Sequence, residues 1–141
     1  MGKTIELYFW EEIVPEAVRV AEAERSAWTQ LFKMIAKGKR PNNAGHLLLL
    51  AIDAYDSSTK IAAAFFLGLF PYRPAKRKLI ENTEDLDPRV RQASAYALSF
   101  YHGKAVANCL RWLAENDEDS AVIIEARKSL QAQSVRDSLA M

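Results

Sequence analysis

The apolar positions of this chain recur at helical rather than strand intervals. Val14, Ala21, Trp28 and Ile35 return every seven residues, and Val18, Leu31 and Phe32 fill the same face. That spacing predicts one long amphipathic helix over about Pro15 to Lys37. Pro15 suits its first turn, where a missing N–H costs nothing. Gly38 suits its exit, and Pro41 forbids continuation. Lys33, Lys37, Lys39 and Arg40 lie where cations oppose the negative end of the helix dipole.

Asn42 or Asn43 caps a second predicted helix that runs to about Tyr55. Its middle, Leu47 to Ile52, is apolar all round, which predicts cover on several sides. Asp56 caps a third helix to about Phe70, and Pro71 stops it. Pro74 opens a shorter helix to about Asn82. Asp87-Pro88 joins a capping carboxylate to a proline at the first helical position. The helix it starts ends near Tyr101, with Gly103 as terminator. A sixth runs from about Lys104 to Glu115. Asp119 caps the last helix, which is expected to fray after Gln133. Only Thr4 to Trp10 leaves extended chain and helical turn both open.

Aligned with itself, the chain repeats. Asp56, Asp87 and Asp119 lie 31 and 32 residues apart, and each is followed eleven residues later by leucine: Leu67, Leu98 and Leu130. Lys60 aligns with Arg91, Ala64 with Ala95, Phe70 with Tyr101, and Leu79 with Leu110. The third copy keeps Val122 opposite Val90, but Ile123 stands where the basic residue was. Ala93, Ser94, Ala95 and Ala97 are small enough to let a neighbouring helix approach closely. A single helix pair cannot bury its apolar stripe, whereas stacked copies bury it against each other.

The stretch Leu86-Asp87-Pro88-Arg89-Val90-Arg91-Gln92-Ala93-Ser94-Ala95-Tyr96-Ala97-Leu98 resembles the second helix of a HEAT repeat. More narrowly, it resembles the bacterial HEAT-like repeats first noted in phycobilisome lyases. The likeness covers about Asp56 to Leu130, is weaker over Asn42 to Tyr55, and leaves out the first forty residues. It implies an all-α fold: a short right-handed α-solenoid of about three HEAT-like helix pairs with an extra N-terminal capping helix. Residues 1–41 form the cap, 42–133 the repeats and 134–141 a frayed tail. The first helices are Asn42–Tyr55, Arg73–Asn82 and Lys104–Glu115; the second are Asp56–Phe70, Asp87–Tyr101 and Asp119–Gln133.

In HEAT proteins the second helices line the concave surface, and that surface binds the partner. The resemblance therefore implies a concave binding face made by Lys60, Arg89, Arg91, Gln92, Tyr96, Glu125 and Arg127. It also implies an inter-repeat ladder of aspartate and arginine. Arg91 is the best match to that position, so a structural role competes there with a binding one.

Composition agrees with helix and excludes little else. Among 141 residues, glycine and proline number only five each, and half the residues are apolar. One domain of this length buries a core without disulfide or metal. A formal net charge of +1 gives no global pull toward nucleic acid or anionic membrane. Cys109, the single cysteine, fits a reducing compartment. The N-terminus lacks a signal-peptide pattern, and the apolar runs 47–52 and 61–70 are too short to cross a bilayer. The chain reads as cytoplasmic.

Candidate chemistry is thin. His46, His102 and Cys109 lack the spacing of a zinc set. They read as surface histidines and a core thiol, and no metal or cofactor is expected. Cys109 sits among Val106, Leu110 and Leu113, an apolar face rather than the electropositive pocket a nucleophile needs. The acidic groups at 81–87 and 115–119 fall at turns and lack the glycine-centred spacing of a calcium loop. Arg73, Lys76, Arg77 and Lys78, beside Tyr72, are the sharpest local charge feature. They could contact phosphate or nucleic acid, yet they lie on a first helix, the usual convex side, and read as a solvated face.

Tyr8, Phe9 and Trp10 are expected to fold back over the first helix pair, or else to form a recognition or dimer contact. An uncapped end of so short an array offers a second route to a homodimer. The reading is a non-catalytic interaction module with a protein partner of unknown identity. A lyase-like protein that handles bilin chromophores and a nucleic-acid binder are the alternatives.

Overall fold

A computed structural model describes residues 5–23 and 28–140. Among them are eight α-helices and no strand: α1 (Ile5–Ala23), α2 (Thr29–Ala36), α3 (Ala44–Ala51), α4 (Ser57–Leu69), α5 (Lys76–Asn82), α6 (Pro88–Leu98), α7 (Lys104–Asn116) and α8 (Ser120–Ala140). A 3-10 turn, Arg73–Ala75, leads into α5.

The capping aspartates act as the sequence requires. Asp56 accepts a hydrogen bond from the Thr59 N–H, Asp87 from Arg89, and Asp119 from Ala121 and Val122. Each satisfies a donor that the first helical turn leaves open. Asn43 occupies the cap position of α3, but its side chain makes no capping bond. Gly38 follows α2 at φ +82°, and its N–H donates to the Ile35 carbonyl, so the expected glycine exit is present.

Packing follows the repeat. α3 packs on α4, α5 on α6 and α7 on α8, while α4, α6 and α8 pack side by side as one layer. Gly68 sets the α4–α6 approach: a Cβ there would lie 2.8 Å from the Tyr96 ring and 3.2 Å from the Ala97 Cα. Along α6, Val90, Ala93, Ala95, Ala97 and Leu98 are buried. Leu98 has no exposed surface. Leu98→Ala is expected to cost about 2–5 kcal/mol, read from the shift in a urea unfolding midpoint. A cost under about 0.5 kcal/mol, the size of a surface change, would contradict this core position.

Later units also cap the carbonyl ends of earlier helices. The Asn82 amide donates to the Ile52 carbonyl, Tyr101 Oη to that of Leu67, and the Gln133 amide to those of Leu98 and Tyr101.

Three expectations change. The single helix Pro15–Lys37 is two helices, with residues 24–27 outside the described ones, and the first of them starts at Ile5 with Pro15 inside it. Trp10, Val14 and Ala17 are all buried on one face, at intervals of four and three. That packing carries the helix through a proline that lacks a donor. The α3 helix stops at Ala51 rather than near Tyr55, though it is covered on several sides, with Leu48 and Ala51 buried, Leu47 and Leu49 packed on the core and Leu50 exposed. The last helix runs on to Ala140 instead of fraying after Gln133. Besides the two Gln133 bonds, Arg136 donates to the Ser99 carbonyl and lies over the Phe100 ring at 4.5 Å.

Candidate functional site

The seven residues expected on the second-helix face divide into two groups. Lys60, Arg91, Gln92 and Glu125 are engaged between units. Arg89, Tyr96 and Arg127 lie on or beside the outer surface.

The engaged group forms two matching locks. Lys60 Nζ, on α4, meets Asp85 Oδ2 at 2.7 Å. Asp85 lies two residues before the Asp87 cap and accepts the Asp87 N–H through its other oxygen. One unit later the pattern returns. Arg91, on α6, meets Asp117 through two bonds of 3.0 and 3.1 Å, and Asp117 accepts the Asp119 N–H. Arg91 also donates to the carbonyls of Asp85 and Leu86. Its side chain is 17% exposed and that of Asp117 only 5%. The bond to Asp117 raises the Arg91 pKa above even the usual arginine range. In the third unit Ile123 ends the series. Gln92 donates to Glu125 Oε1 at 3.3 Å, and both residues are buried. This is a buried polar contact within the α6–α8 layer.

The outer group differs. Arg89 turns back onto its own helix cap, 3.0 Å from Asp87 Oδ2, and about half of its side chain stays exposed. Burial works against the Asp87 carboxylate, yet the bonds from Arg89 hold its pKa below the ordinary value. Arg127 is exposed on α8. Tyr96 is half-buried under aromatic neighbours. Its ring stacks on Phe65 at 5.5 Å and meets Trp10 at 4.9 Å.

Trp10 also meets Phe65 at 5.5 Å, so α1 leans on the second-helix face that carries Phe65 and Tyr96. Trp10 therefore folds back, whereas the side chains of Tyr8 and Phe9 lie outside the described residues. Sequence reasoning did not place Phe65 and Leu69 on this face. The signal was there: Phe65 aligns with Tyr96 at the 31-residue offset of the repeat.

Two grooves meet at Tyr96. One runs between α1 and α4 and is almost wholly apolar, with Val14, Pro15, Phe65 and Leu69 in its walls. The other runs between α6 and α8, past Phe100, Lys128, Ala132 and Arg136.

The remaining candidates are accounted for locally. Lys76 donates to the His102 carbonyl, Arg77 faces Glu81 at 3.5 Å, and Lys78 lies between Asp53 and Glu81. The run Arg73 to Lys78 is thus interleaved with carboxylates rather than presented as an unbroken basic patch. His46 and His102 are exposed. Cys109 is half-buried with Sγ 3.2 Å from Thr83 Oγ1, and burial raises its pKa, so the unreactive thiol form persists at neutral pH. Among the described residues no helix is long and apolar enough to cross a membrane.

The repeat has a counterpart among known families. The family described as HEAT repeats matches residues 45–131, from α3 to within α8. The chain belongs to the HEAT-repeat family. No curated protein and no solved structure matches it significantly. HEAT repeats commonly mediate protein interactions, and the family is generally non-enzymatic.

Proposed function

We propose that this HEAT-repeat chain is a non-catalytic adaptor that binds a partner protein along the outer face of α4, α6 and α8. The observation that carries the reading is the meeting of the two grooves at Tyr96, where an aromatic floor lies between an apolar trough and a more polar one. Aromatic anchors beside a polar rim suit a protein interface better than a charged ligand. Leu69 and Lys128 are its accessible margins, while Lys60, Arg91, Gln92 and Glu125 hold the units that present it. The narrower set of contact residues is therefore Leu69, Tyr96 and Lys128, with the exposed Arg89 and Arg127 outside the grooves.

Affinity capture from the source cell tests the reading. Leu69→Asp and Lys128→Glu should each release the partner that the wild-type chain retains. Lys104→Glu, on the exposed side of α7, should retain it. Undiminished capture by both face variants would remove this face from the interaction.

A further inference from the structure

A different surface carries the most exposed apolar side chains of the repeats. Tyr55 and Leu86 hold the same repeat position, immediately before the capping residues Asp56 and Asp87. A turn makes no demand for an apolar residue there, and the third copy has Glu118. Tyr55 is fully exposed and Leu86 is 96% exposed. Both line one shallow groove at the edge where α4 and α6 begin. Leu86 also lines the adjoining groove, whose other apolar wall is Trp112, 59% exposed on α7. Three large apolar groups thus follow one another along a single edge.

The same edge is acidic. The two grooves are lined by seven carboxylates but only two cations, Lys60 and Arg91. Both cations are already paired, with Asp85 and Asp117. The helix starts use three of the seven, Asp56, Asp87 and Asp119, as caps. Glu84 and Glu118 serve neither a cap nor a lock, and both are exposed. The chain as a whole has a formal net charge of +1, so this is a local concentration and not a general excess.

We propose that this edge docks a basic segment of a partner protein that carries apolar anchors. One anchor enters the hollow between Tyr55 and Leu86 and the next the hollow between Leu86 and Trp112. Cations on the segment face Glu84 and Glu118, and complementary charge fixes its direction and rejects acidic sequences. The spacing suits an extended ligand. Packed helices lie about 8–10 Å apart. Residues i and i+3 of a polyproline-type segment lie on one side, about 9 Å apart. Two apolar residues three positions apart therefore match the repeat. This edge is separate from the grooves at Tyr96, and its occupancy does not depend on theirs.

The test uses the full chain and two labelled peptides read by fluorescence anisotropy. One has two leucines three residues apart flanked by arginines and prolines; the other has glutamate in place of each arginine. The basic peptide should bind and weaken as salt rises, while the acidic peptide should not bind. Leu86→Ser and Trp112→Ala should each weaken binding about tenfold, the scale of losing one anchor of about 1.4 kcal/mol. Both side chains are exposed, so circular dichroism should confirm unchanged folding. Leu69→Asp, on the second-helix face, should leave the affinity unchanged. No binding, equal binding of the two peptides, or wild-type affinity in both edge variants would overturn the proposal. So would loss of binding in Leu69→Asp alone, which would put the peptide in the Tyr96 grooves.

Discussion

Arg91→Ala is expected to lower the unfolding free energy by about 3–5 kcal/mol, a large part of the roughly 5–15 kcal/mol that holds a domain folded. The magnitude comes from what is left behind. Asp117 is almost fully enclosed, and Arg91 supplies two of its bonds. The carbonyls of Asp85 and Leu86 lose their donor in the same step. A carboxylate stranded without its cation costs far more than the pair itself contributes. Urea unfolding followed by circular dichroism gives the number. Replacing both partners, Arg91→Met with Asp117→Leu, should recover most of the loss, because no charge then remains enclosed. Added salt should change the wild-type value little, since a mostly buried pair is weakly screened. An Arg91→Ala variant within about 0.5 kcal/mol of wild type would mean that Arg91 holds nothing together.

Trp10→Ala is expected to cost about 3–5 kcal/mol, the usual loss for truncating a buried aromatic side chain. Trp10 is enclosed between α1 and the second-helix layer, with Phe65 and Tyr96 against its ring. Paired aromatic rings contribute about 0.5–1.5 kcal/mol each beyond the area they bury. Truncation removes two such pairs and leaves Val14 and Ala17 to hold α1. Circular dichroism is the better probe here, because Trp28 and Trp112 would mask the change in fluorescence. Trp10→Phe should restore much of the stability by keeping a ring in the slot. A loss below about 1 kcal/mol for Trp10→Ala would show that α1 lies loosely on the layer.

The repeats were open to reading because their signals are local. An aspartate before a helix caps it wherever the helix later packs, so Asp56, Asp87 and Asp119 declared three starts. The cation four residues after the cap was equally visible, and the resemblance supplied the ladder in which Arg91 sits. Its partner Asp117 was not visible as such. It looked like one more charge in an acidic turn, because only the fold brings residues 26 positions apart together.

The N-terminal region misled for the opposite reason. Seven-residue recurrence from Val14 to Ile35 is what one helix would show, and two helices facing the same core show it as well. Pro15 read as a start because its local rule is strong, yet Trp10 and Val14 packing on the same side overrode it. The tail was missed likewise: Gln133 and Arg136 look like solvated polar residues until the ends of α6 are beside them. Of the seven residues expected on the second-helix face, Tyr96 lines both grooves, and Lys60, Arg91, Gln92 and Glu125 make bonds between units that local spacing alone does not reveal.

The two locks also say how such an array can change length. Each lock lies wholly within one repeat period, with the cation near its start and the aspartate near its end. A duplicated block inserted between Leu86 and Asp87 would bring a complete lock, and every junction would stay paired. A block joined beyond α8 would meet Ile123 where the cation should be, and one joined ahead of α4 would meet Ala54 where the aspartate should be. Growth by internal duplication therefore preserves the interlocking, whereas growth at either end requires a new charge first.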